Sequence, residues 1–168
     1  PARRGNIARI IFEAREAVYR ACERRKIPAV IAAPLGMGTA IVNIMPGHMT
    51  FEEYFRFSGV SHQEKALRFL LGLSPAMLQR GYLVDRSKVD FVGQRGPSTP
   101  MACQLCAGAA ATEALKILFK RGNVLAAPHG YQFDAYRNKV TRTWRPWGNN
   151  NPIQRLGLAI ARHQLGLK

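Results

Sequence analysis

Between Ile27 and Thr50 the chain has no aspartate, glutamate, lysine or arginine. A block of that length without charge can be accommodated in few ways. About 20 apolar residues suffice to cross a bilayer, but Pro28, Pro34, Gly36, Gly38, Asn43, Pro46 and Gly47 interrupt this one, so no membrane span is expected. Two short strands fit instead, Ala29 to Ala33 and Thr39 to Ile44, joined through Pro34-Leu35-Gly36-Met37-Gly38. Neither alternates polar with apolar positions, which is the pattern of strands covered on both faces. The block therefore predicts an α/β architecture. Its bend is either a tight connection or backbone at the carboxyl edge of a sheet, where ligands of open α/β folds bind.

Helical periodicity flanks the block. Ile7, Ile11, Ala14, Val18 and Cys22 recur at three- and four-residue spacing, with Asn6 as an N-cap and Arg24, Arg25 and Lys26 closing the helix before Pro28. A segment at about 46–100 reads as an insertion of short helices and loops. It has an aromatic face of Phe51, Tyr54, Phe55 and Phe57, then a helix from His62 to Leu73 with Ala66, Phe69, Leu70 and Leu73 inward. A further turn or two spans Pro75 to Leu83, a brief strand is expected at Asp90 to Val92, and Gly93 to Pro100 is a loop. Met101 to Phe119, rich in alanine and glycine, is expected to be a buried central helix.

Beyond it, Val124 to Ala126 begins a strand, Tyr131 to Tyr136 alternates as a half-exposed one, and Val140 to Trp144 returns antiparallel to it. Asn151 and Pro152 start a last helix to about His163, with Ile153, Leu156, Ala159 and Ile160 on its inward stripe. With 168 residues and no internal repeat, a single domain is expected. Pro1 is either a start left by removal of an initiator methionine or a cut in a longer chain.

The formal charge is +15, and residues 98–168 hold ten lysines and arginines against two acids, Glu113 and Asp134. Such a field attracts nucleic acid or an acidic protein. The tail from Tyr136 to Trp147 interleaves cations with aromatic rings, a pattern that suits phosphate contact with base stacking and equally suits solvated arginines beside rings that cover a sheet. Three cysteines, Cys22, Cys103 and Cys106, are too few for a disulfide framework and fit a reducing cytoplasm. Cys103 and Cys106 form one CxxC pair without a second; a closed zinc site needs four ligands, so zinc is not expected. Cys103 begins a helix, where a thiol can be activated as a nucleophile; a buried core thiol is the other reading.

The wording of the elements resembles the ThiF/MoeB family, the adenylyltransferases related to ubiquitin-activating enzymes. The matching pieces are Arg15 and its helix leading into Ile27-Pro28-Ala29-Val30, the bend from Ala33 to Ala40, and the small-residue helix ending Glu113-Ala114-Leu115-Lys116-Ile117-Leu118. Gln132 to Tyr136 and Asn149 to Arg155 match the tail of a bacterial subgroup. The resemblance implies a partial Rossmann-like three-layer α/β domain with a mixed sheet, residues 1–168 forming its C-terminal part without the N-terminal nucleotide-binding βαβ units. It implies ATP and magnesium as cofactors, and adenylation of the terminal carboxylate of a ubiquitin-like or sulfur-carrier protein. A polypeptide supplying the nucleotide-binding half is the other expected partner, and an oligomer the expected state. Arg15 matches the last position of the family's Asp-Asn-x-x-x-Arg segment, while Ile10 and Ile11 stand where its Asp and Asn would be, and an apolar side chain cannot ligate magnesium. Arg15 and Cys103 are thus the candidate site residues. The alternative expectation is a non-catalytic basic subunit that binds nucleic acid or an acidic protein.

Overall fold

The computed structural model describes residues 2–82 and 98–165, with side chains from Phe12 onward and up to Gln164. The strand expected at Asp90 to Val92 and most of the Gly93 to Pro100 loop lie outside the described residues. The elements in chain order are α1 (Ala2–Arg24), β1 (Ala29–Leu35), β2 (Gly38–Ile44), α2 (Phe51–Phe55), α3 (His62–Leu73), α4 (Pro100–Phe119), β3 (His129–Asp134), β4 (Lys139–Trp144) and α5 (Pro152–Leu165). Short 3₁₀ turns at Leu78–Gly81 and Gly148–Asn150 complete them.

The four strands form one sheet in the order β1-β2-β3-β4. All three ladders are antiparallel, and parallel pairing is confined to two isolated bridges, Gly36 with Ser98 and Asn43 with Ala126. This is the difference from the expected mixed sheet. Connection length explains two of the ladders, since a two-residue turn joins β1 to β2 and a four-residue turn joins β3 to β4, whereas parallel neighbours need long crossovers; β3 returns antiparallel to β2 after the long connection through α2, α3 and α4. Val124 to Ala126 contributes only the bridge at Ala126 before the chain reverses into β3.

Helices lie on both faces of the sheet, giving the α/β architecture expected. Because side chains alternate across a strand, Ile31, Leu35, Ala40 and Val42 point to one face, where they join Phe12, Phe51, Tyr54, Phe55, Phe57 and Leu73 in a continuous core. The four aromatics of the 51–57 face are all at most 4% exposed, and their rings meet edge-on or tilted, the arrangements that ring quadrupoles favour. Each such ring buries 150–250 Å², so this layer dominates the stabilisation of the fold.

The same rings decide how α1 sits. The expected stripe through Ala14 and Val18 is turned away, with Val18 57% exposed; Phe12 and Tyr19 are the residues packed inward, Tyr19 stacking on Phe51 at 4.4 Å. Two rings seven residues apart outweigh a stripe of smaller side chains. They carry Glu16 into the interior, where Lys65 and Arg20 neutralise it.

On the opposite face α4 packs across β1 and β2. Its inner side is Ala102, Cys106 and Glu113, while Met101, Leu115, Leu118 and Phe119 are more than half exposed. The helix is therefore a flanking helix with a bare outer face and not the buried central helix expected. Alanine and glycine let it approach the sheet closely but bring no second apolar surface against its far side. The helix is long and apolar enough to cross a bilayer by length and composition, yet one side of it lies on the sheet and holds a buried carboxylate.

The inward stripe of α5 also differs from expectation. Ile153, Leu156 and Ile160 face out at 83%, 63% and 50% exposure, and Gln154 and Leu158 are buried instead. A polar bolt fixes this choice: Asn149 donates from Nδ2 to the carbonyls of Phe55 (2.9 Å) and Arg68 (3.0 Å) and accepts from Gln154 Nε2 (3.1 Å). Arg162 closes on Glu64 from the far end of the helix. Gly148, at φ +55, lies so close to Tyr54 that an added Cβ would stand 2.2 Å from its carbonyl oxygen, which only glycine tolerates.

Candidate functional site at the carboxyl end of β1

β1 runs into the bend Gly36-Met37, and three elements converge on it. From α4, the Thr99 N–H donates to the Gly36 carbonyl at 3.0 Å while the Thr99 hydroxyl caps the helix by accepting from Ala102 N at 3.2 Å. From the 3₁₀ turn, the Tyr82 hydroxyl accepts from Met37 N at 2.8 Å and donates to Asp134 Oδ2 at 2.6 Å. From the end of β3, Asp134 also accepts from the Arg137 N–H at 3.0 Å, and the Ala135 N–H donates to the Met37 carbonyl. Burial, followed by the hydrogen bond to Asp134, pushes the Tyr82 phenol up to about 12, so Tyr82 stays protonated and keeps donating. Gly36, at φ +59, leaves no room for a side chain: a Cβ there would lie 2.4 Å from the Tyr82 oxygen.

Toward the opposite end of α4 from this corner is a second polar set, between the helix and the sheet. Glu113, 2% exposed, accepts from Asn43 Nδ2 at 2.9 Å on Oε2 and from the Tyr131 hydroxyl at 3.3 Å on Oε1, which Lys116 also binds. Burial, then the Glu113 charge, raises the Tyr131 phenol to about 12. Asn43 Oδ1 has no partner. A third set under the aromatic layer links Ser74, Gln79 and Gln132. These buried polar groups anchor β2 and β3 to their neighbours. Periodicity could not reveal them: Asn43 and Glu113 read as breaks in apolar runs, and Gln132 and Asp134 as the solvent side of an alternating strand, whereas both are buried.

The two candidates from the sequence occupy different layers. Arg15 lies in the aromatic layer, its guanidinium 5.0 Å from the Phe69 ring centre and 5.7 Å from that of Phe12, a cation–π position. Cys103 is exposed in the first turn of α4, on the other side of the sheet, and Cys106 is buried. The structure does not bring Arg15 and Cys103 together. Among the described residues no group of three or more histidine, cysteine, aspartate or glutamate side chains could hold a metal ion. Among the described residues the carboxylate at the bend is Asp134, fully buried with both oxygens engaged. The described residues therefore do not fit a magnesium triphosphate, which needs free carboxylate and glycine-lined backbone N–H groups.

An open sheet flanked by helices on both faces, with a glycine bend pinned at a strand's carboxyl end, is an α/β architecture consistent with part of a Rossmann-like domain whose parallel units are not among these four strands. The profile of the ThiF family matches residues 11–155, and the chain belongs to that family. Its fold is that of the activating-enzyme-like adenylyltransferases, which use ATP and magnesium and act with ubiquitin-like or sulfur-carrier proteins. Searches among curated proteins and among solved structures return no match.

Proposed function

We propose that this chain is the carrier-facing portion of a ThiF-type activating enzyme, in which the terminal carboxylate of a ubiquitin-like or sulfur-carrier protein is adenylated with release of pyrophosphate. The observation that supports this reading is the family match over residues 11–155 together with a pinned glycine bend at the carboxyl end of β1. In this reading the glycine-rich phosphate cradle belongs to polypeptide outside residues 1–168, and β1 and the bend border it.

Arg15 serves this reaction as a guanidinium able to meet a phosphate or carboxylate bidentately. Cys103, exposed in the first turn of α4, takes an acyl group from the activated carboxylate as a thioester, with AMP leaving. The open apolar sides of α4 and α5 support assembly into an oligomer. Three free thiols suit a cytoplasmic setting.

Isotope exchange between pyrophosphate and ATP tests the proposal. The chain alone is expected to give none, and exchange is expected once it is mixed with the polypeptide that carries the phosphate loop and with the carrier. Stoichiometric capture of magnesium nucleotide by the isolated chain, or silence in every mixture, would overturn it. In the active mixture Arg15→Ala is expected to lower exchange, and Cys103→Ser to spare exchange while abolishing any thioester.

A further inference from the structure

We propose that the face of β3 and β4 on the α4 side is a docking platform for single-stranded nucleic acid. α4 packs on β1 and β2 and meets β3 through the Tyr131–Glu113 hydrogen bond. Three cross-strand pairs stand on this sheet face, with their β4 members exposed: His129 with Trp144, Tyr131 with Arg142, and Phe133 with Val140. Trp144 is 66% and Val140 62% exposed, and His129 and Arg142 are exposed beside them. Between this face and α4 runs a groove of about 550 Å³ lined by Tyr131, Phe133, Val140, Leu105, Gly108 and Ala109. The absence of bulk at Gly108 and Ala109 keeps it open to a planar ring.

Charge selects the partner. Between Ser98 and Gln164 the acidic residues are Glu113 and Asp134, and both are buried, at 2% and 0% exposure. Glu113 is occupied by Asn43, Tyr131 and Lys116, and Asp134 by Tyr82 and the Arg137 N–H. Among the described residues of this stretch no carboxylate is exposed to a polyanion, while Lys120, Arg121, Lys139 and Arg142 are exposed; the Arg137 guanidinium donates to the Leu78 carbonyl. Arg145, by contrast, is turned toward α3 and donates to the Leu71 carbonyl.

Shape narrows the class of polyanion. On a strand, alternate residues stand about 7 Å apart, so Arg142 and Trp144 present a flat cation and a flat ring in succession. Exposed rings on a basic surface accept successive bases by stacking, whatever the base sequence. An acidic protein would find the same cations but no use for an open stacking surface.

The test uses residues 1–168 and two probes: an oligothymidylate of about 16 nucleotides, near the upper site size of single-strand platforms, and heparin, a polyanion without bases. Trp147→Phe leaves Trp144 as the reporting indole, since the chain has two tryptophans. Oligothymidylate is expected to quench its emission. Trp144→Ala is expected to weaken oligothymidylate binding roughly ten-fold, within the range of one lost stacking contact, and to change heparin binding less than about two-fold. Trp144→Phe should recover most of the loss, and Arg142→Ala should weaken both probes. Because Trp144 is exposed, circular dichroism and melting of the variants should match the parent. No binding of oligothymidylate at low salt, or equal binding of both probes with no effect of Trp144→Ala, would overturn the proposal. So would an acidic carrier protein that needs Trp144 and is not displaced by the oligonucleotide, which would assign the face to a protein instead. None of these readouts involves ATP, so they stand or fall apart from the exchange assay.

Discussion

The two halves of the sheet are finished differently. β1 and β2 are covered on both sides, by an aromatic layer on one and by α4 on the other, and six of the seven residues of β2 are buried. β3 meets α4 through the Tyr131–Glu113 hydrogen bond, and β4 has no buried residue. Their hydrogen-bond ladders are equally regular, so the difference lies in what packs on them. Side chains in the first half are constrained by packing at close to crystalline density. Those on the open face of the second half are free to be chosen for contact with something else.

The comparison would break first at the core. Phe55→Ala is expected to cost about 3–5 kcal/mol, because Phe55 is fully buried and touches Phe51, Phe57 and Phe69; urea denaturation measures it. Glu113→Ala, at the seam between the halves, should cost about 1–3 kcal/mol by stripping Asn43 and Tyr131 of an acceptor. The same variant should lower the Tyr131 phenol toward its ordinary value, since the Glu113 charge helps to raise it; ultraviolet titration reads that shift.

Smaller still is a pH effect on the docking of α5. The hydrogen bond from Arg162, and after it that from Arg68, hold the Glu64 carboxyl below its ordinary value of 4.5. A carboxyl lowered in the folded state contributes stability that is fully present above its unfolded value and is lost as pH falls through the folded one. The parent should therefore lose stability below about pH 4.5, and Glu64→Gln should flatten that decline while destabilising the protein at neutral pH. Thermal melts across that range decide it. At the far end of the scale, Ile153→Ser and Trp144→Ala, both on open surfaces, should leave stability within about 0.5 kcal/mol. A loss of several kcal/mol at either residue would show that those faces are packed after all, and the contrast between the halves would disappear.

The elements that were legible in the sequence are those whose pattern is local. α3 begins at His62 and ends at Leu73 as its periodicity implies, with Ser61 accepting from Glu64 N as a cap. The aromatic face from Phe51 to Phe57 is buried as a unit. The last helix starts at Pro152, where Asn151 accepts from the Ile153 N–H. What could not be read was the direction in which an amphipathic helix turns its stripe when two faces compete. α1 chose Phe12 and Tyr19 over Ala14 and Val18, and α5 chose Gln154 and Leu158 over Ile153 and Leu156. The candidate site divides in the same way. Gly36 and Gly38 announced the bend, but its partners Tyr82, Thr99 and Asp134 lie 46 to 98 positions later in the chain, beyond the reach of any local motif.

From the residues alone came the α/β character, the charge-free strand pair, the excess of cations and the likeness to ThiF proteins, since each is a property of short stretches or of composition. Only the folded chain settled that α4 shields half of the sheet, that both carboxylates after Ser98 are buried inside it, and that Arg15 and Cys103 belong to opposite layers. Those outcomes depend on which distant surfaces find each other, and long-range packing is decided by the summed shape and desolvation of many side chains, not by the spacing of a few.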